Sequence, residues 1–233
     1  MSHFTGFNPE AIHFLQEIKN NNNRDWFESR RAFYDKEVLE KSRDFVESLG
    51  ERLLEIAPRV HVVPKVNGSI YRFSRDARFS KDKTPYKTHF SYLFWQGSIK
   101  RTRCPGFFLG ITANDVRIGA GINIFEPSYL SAWRECCVDK RLAPALEKIV
   151  KNLQGNGFIR NGEQLKRMPH GYSAAHPNQE LIRHKGLRYI HQHPLPDHIY
   201  SAEFVDHCME YFRQLLEFHQ WTVEVLSFMR PGD

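Results

Sequence analysis

Apolar residues change their spacing twice along this chain. Near the N-terminus Ala11, Phe14, Leu15 and Ile18 recur every three or four residues, which predicts a helix. Asn8-Pro9-Glu10 supplies its start: a capping side chain, a proline whose missing N–H costs nothing in the first turn, and an acid at the positive end of the dipole. Four asparagines, Asn20 to Asn23, stop that helix, and Asp25 opens the next, with Trp26, Phe27, Phe33 and Tyr34 as a heavily aromatic face. Trp26 reads as a core residue, and turn chemistry is the simpler reason for the asparagines, although Asn22 or Asn23 can also reach a ligand. Val38, Phe45, Leu49, Leu53 and Ile56 then mark a long amphipathic helix ending at Pro58.

In the middle of the chain the period falls to two. Asn67-Gly68 is a turn, and Ser69 to Ser74 reads as a strand with Tyr71 and Phe73 on one side and Ile70 and Arg72 on the other. His89 to Trp95 is apolar on both sides and reads as a central strand. Gly106 to Thr112 and Val116 to Ile122 flank Ala113-Asn114-Asp115 as a hairpin, and Gly119 and Gly121 predict a bulge or a close approach by backbone or ligand. Helical spacing returns at Pro127, with Leu130, Trp133 and Cys137 on one face, then Leu142, Leu146, Ile149, Val150 and Leu153 on another. Residues 155–162 read as a loop, 165–177 as irregular, Asn178 to Lys185 as a short helix and Leu187 to His191 as a last short strand. Ser201 is expected to cap a terminal helix that turns Phe204, Cys208, Tyr211, Leu215 and Leu226 inward. The pattern predicts the α+β class: a single domain over residues 1–233, with an antiparallel sheet built mainly from the middle of the chain and packed by N- and C-terminal helices.

Charge adds a local feature. The formal net charge of the 233 residues is +6, yet Lys65 to Arg103 alone carries ten Lys/Arg against two acids, or +8, leaving −2 for the rest. The centre of that excess is Tyr71-Arg72-Phe73-Ser74-Arg75-Asp76-Ala77-Arg78-Phe79-Ser80-Lys81-Asp82-Lys83-Thr84-Pro85-Tyr86-Lys87-Thr88. Aromatic residues are interleaved with the cations, so it reads as a folded loop that concentrates positive charge rather than a basic tail. Guanidinium forks grip phosphate or carboxylate at two points, and ammonium groups add mobile point charges. Arg72, Arg75, Arg78, Lys81, Lys83 and Lys87 are therefore candidate anion ligands, with Tyr86 as a hydroxyl donor or stacking ring. Asp76 and Asp82 can orient those cations or act as acid–base groups, and Glu126 is the best-placed carboxylate outside the loop. A second use for the same residues is architectural, with arginines bonded to carbonyls and carboxylates to pin the loop.

Other signals are weaker. His191-Gln192-His193 puts two imidazoles on one face of a strand, with His170, His176, His184 and His198 near in sequence; a metal can use such a pair, but no ligand motif accompanies it and solvated histidines are the simpler reading. Gly119-Ala120-Gly121 lacks the rest of a phosphate-loop pattern, and no cofactor is expected. Cys104, Cys136, Cys137 and Cys208 show no paired spacing and predict reduced thiols in a cytoplasmic protein; Cys136 and Cys137 fall on a helix stripe and read as core. No leader pattern and no membrane-spanning run is visible, so no membrane partner is expected.

Several blocks occur in a recognisable order: Asn21-Asn22-Asn23-Arg24-Asp25-Trp26-Phe27, Ser69-Ile70-Tyr71-Arg72, the run from Arg75 to Thr88, Pro105-Gly106-Phe107-Phe108, Leu165-Lys166-Arg167-Met168-Pro169-His170-Gly171-Tyr172, and His176-Pro177 to Lys185. Together, from about Phe4 to about Phe228, they resemble the family known as domain of unknown function 2461. The resemblance implies a single domain and brings no activity, cofactor or catalytic residue with it. His170 departs from an expected lysine, while Lys185 matches the pattern and becomes a further candidate for the basic site. The expectation is a pocket for a phosphate-bearing or nucleotide-like anion, with or without chemistry on it. Two alternatives stand beside it. One is nucleic-acid binding through Tyr86, Tyr92, Trp95, Lys100, Arg101 and Arg103. The other is a non-enzymatic scaffold or partner protein with a structural Arg/Lys network.

Overall fold

In the computed structural model, which describes residues 3–229, helices occupy both ends of the chain and strands its middle. Helices α1 (Pro9–Asn20), α2 (Arg24–Ser29), α3 (Arg31–Phe33) and α4 (Lys41–Ile56) come first, then strands β1 (Phe90–Trp95), β2 (Gly106–Ile111) and β3 (Asp115–Ile122). The order continues with α5 (Pro127–Val138), α6 (Leu142–Gly155), β4 (Ile159–Asn161), α7 (Gln179–Ile182), β5 (Leu187–Pro194) and α8 (Glu203–Glu224). The strands form one antiparallel sheet in the order β1-β2-β3-β5-β4, so the chain is of the α+β class. Packing divides it into two compact units. The first comprises Met1–Phe94, Phe108–Ile118 and Gln192–Glu210, and the second Trp95–Phe107, Gly119–His191 and Tyr211–Asp233.

In the first unit Asn8 caps as expected, whereas the second helix opens one residue before the expected Asp25 and takes Asn23 as its cap. Asn8 Oδ1 accepts from Glu10 N at 3.0 Å to start α1, and Asn23 Oδ1 accepts from Trp26 N at 2.9 Å to start α2. α1 buries Ala11, Phe14, Leu15 and Ile18, and Phe14 meets Phe27, Tyr34 and Phe73 in an aromatic cluster. Trp26 is only half-buried, while its neighbour Phe27 takes the core position. The expected helix from Val38 is interrupted upstream: Tyr34–Glu40 is wound as a π-helix before α4 begins. Ser69 to Ser74 does not form a full strand. Among the described residues it makes isolated bridges, Val66↔Ile70, Ile70↔Tyr92 and Ser74↔Tyr86, with Ser69 N and Ile70 N committed to Val63 O at 2.6 Å and Lys65 O at 3.2 Å in the preceding turn.

In the second unit α5 buries Trp133, Cys136 and Cys137, and α6 buries Leu142, Leu146, Ile149 and Leu153. Trp133 Nε1 donates to Leu181 O at 2.9 Å and its ring lies edge-on to Trp221 at 5.2 Å. β4 falls within the stretch expected to be loop; its three residues pair with β5, Ile159 opposite Ile190 and Asn161 opposite Arg188. Gly121, at φ +134°, is where β5 comes close: a Cβ there would sit 2.1 Å from Leu187 O. Of the two causes expected at this glycine, the close neighbour is therefore backbone. Beyond α8 the chain tightens into a 3-10 turn at Val225–Phe228, so Val225 rather than Leu226 turns inward. Among the described residues no helix is long and apolar enough to cross a membrane.

Candidate functional site

The basic loop is closed at its neck by backbone. Arg75 N donates to Pro85 O at 2.7 Å and Lys87 N to Phe73 O at 2.9 Å. A side chain 64 residues away secures the same point. Asn22 Nδ2 donates to Tyr86 O at 2.9 Å, and Tyr86 N donates to Asn22 Oδ1 at 3.0 Å, so one amide supplies both bonds that a neighbouring strand would. The Tyr86 ring stacks on Phe27 at 4.1 Å, and burial raises its hydroxyl pKa. Tyr86 thus anchors the loop to α2.

Within the loop, cations and acids pair locally. Arg75 binds Asp82 and the Thr84 hydroxyl, and reaches Thr84 O at 3.3 Å and Ser80 Oγ at 3.4 Å. Arg78 forks onto Asp76 with bonds of 2.9 and 2.7 Å. Lys83 Nζ donates to Ala77 O at 3.0 Å and Arg78 O at 3.3 Å. Arg72 and Lys81 are exposed, and between them Phe79 is 95% exposed with the Arg78 guanidinium 5.8 Å from its ring centre. The hydrogen bonds from Arg78 hold Asp76 well below the usual carboxylate range. Those from Thr84 and Arg75 hold Asp82 down at about 2. Both are therefore ionised at any physiological pH and are weak bases, suited to orienting cations rather than abstracting protons.

Beside the neck lies a crevice wholly within the first unit. The π-helical turn and α4 contribute Tyr34, Val38 and Ser42; Tyr71, Ser91 and Tyr92 form a wall; Lys87 and His89 stand among its polar lining. With its mouth it holds about 260 Å³ of empty space, of which the enclosed part has room for about one water molecule. Ser42 Oγ and Tyr92 Oη are 2.8 Å apart and fully buried at the floor. The Lys87 ammonium sits 4.9 Å over the Tyr71 ring. Burial, reinforced by Lys87, Arg117 and Arg75 and opposed only by Asp115, pushes the His89 imidazole down to about 4, so it is neutral at pH 7. His89 and Arg117 were not singled out from the sequence. His89 follows Lys87-Thr88 at the start of an apolar strand and carries no pattern of its own. Arg117 becomes relevant only once the hairpin is folded.

The remaining candidates are distributed as follows. Lys185 lies in the second unit and pairs with Glu163, and Glu126, also there, pairs with Arg103. Tyr92 is fully buried, so its ring faces core. The two strand imidazoles have separate surroundings: His191 packs between Phe158 at 5.4 Å and Tyr211 at 4.8 Å, whereas His193 meets His207, a histidine the sequence reading had passed over. All four cysteines are free and buried; burial lifts Cys136 to about 12 and Cys137 and Cys208 well above the usual thiol value, which makes them inert packing groups.

The pattern of a family described as "Conserved hypothetical protein (DUF2461)" matches residues 10–221. A solved structure titled "Crystal structure of an uncharacterized protein from Methanothermobacter thermautotrophicus" is similar at 10% identity with a TM-score of 0.33, covering 79% of this chain and 99% of that one. No curated protein matches the chain.

Proposed function

Because the chain belongs to the DUF2461 family, whose description states no activity, we propose from the geometry that the first unit binds a small phosphate-bearing anion at the mouth of the crevice beside Lys87 and His89. The observation that carries this reading is that the Lys87 ammonium and the His89 imidazole, which burial first and Lys87 next hold neutral, line one crevice. The other two cations that act on His89 are paired, Arg75 with Asp82 and Arg117 with Asp115. An anion at the mouth would meet the Lys87 ammonium, which lies over the Tyr71 ring. The enclosed space suits one oxygen or water, which leaves the body of the ligand outside. The π-helical turn that supplies Tyr34 and Val38 supports the reading, since such turns are rare and concentrate at binding sites. Arg75, Arg78 and Lys83 act in this scheme as scaffold. The four buried thiols fit work in a reducing compartment, and we place the protein in the cytoplasm.

The test is calorimetric titration of the full chain with inorganic phosphate and nucleoside monophosphates, next to Lys87→Met and Arg78→Ala. One charge-assisted hydrogen bond is worth about 1.5–3 kcal/mol, so Lys87→Met should weaken binding about tenfold or more. Arg78→Ala should leave it unchanged. Bound anion should also raise the pKa of His89, seen by its ring resonances. No binding at millimolar ligand, or equal binding in Lys87→Met, would overturn the proposal.

One observation favours a second reading, that the loop tip binds single-stranded nucleic acid. Phe79 stands out of the loop at 95% exposure, with Arg72, Arg78 and Lys81 also exposed, which combines a stacking ring with phosphate-binding cations. Oligonucleotide binding that falls steeply with salt and is lost in Phe79→Ala would select it; binding indifferent to salt would exclude it.

A further inference from the structure

Three histidines come together at one corner of the first unit. His193 is near the end of β5, His198 lies in the 3-10 turn Asp197–Tyr200, and His207 is in the second turn of α8. The corner is fixed by backbone: Leu195 N donates to Asn114 O at 2.9 Å and Phe7 N to Ile199 O at 3.0 Å. His193 Nε2 and His207 Nε2 are 3.1 Å apart, with their rings nearly perpendicular at 81°. The His198 ring lies 4.5 Å from that of His207, and its Nε2 is buried with no hydrogen-bond partner among the described residues. On its other side the His207 ring stacks on Phe204 at 6.0 Å.

The hydrogen bonds fix the tautomers. His193 Nδ1 lies 2.8 Å from Pro194 O, and a carbonyl only accepts, so Nδ1 carries the proton and Nε2 is a bare lone pair when the ring is neutral. With both rings neutral, the proton between the facing nitrogens then belongs to His207. An imidazole whose outer N–H is held by a backbone carbonyl, with its inner lone pair aimed at a second imidazole nitrogen, is the arrangement that orients histidine for metal ligation. The separation also fits. At a metal–nitrogen distance of about 2.0–2.1 Å, two ligands at a right angle are about 2.9 Å apart and two at the tetrahedral angle about 3.3 Å. The observed 3.1 Å falls between them.

We infer that His193 and His207 form a preset two-imidazole site for a borderline divalent metal ion of the zinc type, with His198 closing on it as a third ligand. Among the described residues no three His, Cys, Asp or Glu side chains already surround one point, so His198 has to turn its buried Nε2 toward the ion. Binding requires His207 to give up its Nε2 proton, so that both rings present an Nε2 lone pair to the ion. Water completes the coordination, since all three rings are only half-buried. Imidazole ligands without thiolate suit zinc, nickel and copper, and exclude magnesium and calcium, which take oxygen.

The experiment is titration of the chelator-treated full chain with zinc chloride by calorimetry and thermal shift. One ion should bind per chain with a dissociation constant in the micromolar range, and Tm should rise. Magnesium should do neither. His193→Ala and His207→Ala should each weaken zinc at least tenfold, with circular dichroism and metal-free Tm close to the parent. His198→Phe should weaken it less. Absence of zinc binding at 100 μM, in the sense of about ten times a micromolar-range constant, overturns the inference, as does equal binding by the His193 and His207 variants. Should the variants fail to fold, copper(II) spin resonance on the parent decides. Hyperfine coupling to two or three imidazole nitrogens upholds the site, and coupling to none refutes it.

Discussion

His219 should make the protein sensitive to mild acid. The residue is fully buried in α8, its ring lies 4.4 Å from that of Phe107, and neither ring nitrogen has a hydrogen-bond partner among the described residues. Burial alone pushes its pKa from 6.5 down to about 4. In the unfolded chain the imidazole titrates at its ordinary value, so between those two pH values the unfolded state binds the extra proton. Stability from this source is complete above pH 6.5 and is lost as pH falls toward 4. The full loss is about 3 kcal/mol, at 1.36 kcal/mol per pKa unit, and at pH 4.5 it is about 2.5 kcal/mol. His89 and His184, also held down at about 4, add to the slope in the same window. The perturbation is His219→Leu, assayed by urea unfolding at pH 7.5, 6.5, 5.5 and 4.5. At pH 7.5 the variant should be at least as stable as the parent, since it removes two unsatisfied polar atoms from the core. Between pH 7.5 and 4.5 it should lose about 2.5 kcal/mol less than the parent. Parallel stability curves for the two proteins, or a His219 resonance that titrates near 6.5 in the folded state, would refute the argument.

Other consequences are equally direct. Asn22→Ala removes two half-buried hydrogen bonds to Tyr86, so it should cost about 1–3 kcal/mol, lower Tm by several degrees and speed amide exchange at Tyr86; an unchanged exchange rate would show that the neck holds without it. Arg75→Ala releases Asp82, Thr84 and Ser80 from one guanidinium, so trypsin should cut at Arg78, Lys81 or Lys83 faster while global unfolding is little changed; equal cleavage rates would count against the clamp. Gly121→Ala places a methyl against Leu187 O at a positive φ, and should cost about 3 kcal/mol or prevent folding; a soluble variant of parental stability would contradict the close approach.

The elements legible in advance were those whose signal is local. α1, α5 and α6 carry an apolar stripe long enough to define a period, and Asn8-Pro9 announces a helix start by chemistry confined to a single turn. β4 was illegible because three residues, two of them exposed, contain no alternation; its conformation comes from pairing with β5. The strand expected at Ser69 to Ser74 is reduced to isolated bridges because the turn before it takes two of its donors, Ser69 N and Ile70 N, a competition the alternation of side chains does not reveal. In the loop, the local pairs Arg78–Asp76 and Arg75–Asp82 were within reach of sequence reasoning, since Asp76 and Asp82 stand two and seven residues from the arginines they orient. Asn22 and the His193–His207 pair were not. They join residues 64 and 14 positions apart, and nothing in either residue type names its partner.

The π-helical turn at Tyr34–Glu40 also bears on how the core can change. Each residue in such a turn rotates the chain less than an α-helical residue does, so the segment works as a phase adjuster between two helical stripes. Upstream, Phe27 faces inward; downstream, Phe45, Leu49 and Leu53 do so, and the slack between the two is absorbed where Tyr34 and Val38 both reach the crevice. A substitution within the segment therefore changes a surface, but a change in how it winds changes an angle. Seven π-helical residues cover about the rotation of six α-helical ones, so deleting one position would let the backbone wind as ordinary α-helix with the stripes on either side still nearly in phase. Rewinding all seven residues as α-helix would instead turn one stripe by more than about a right angle relative to the other.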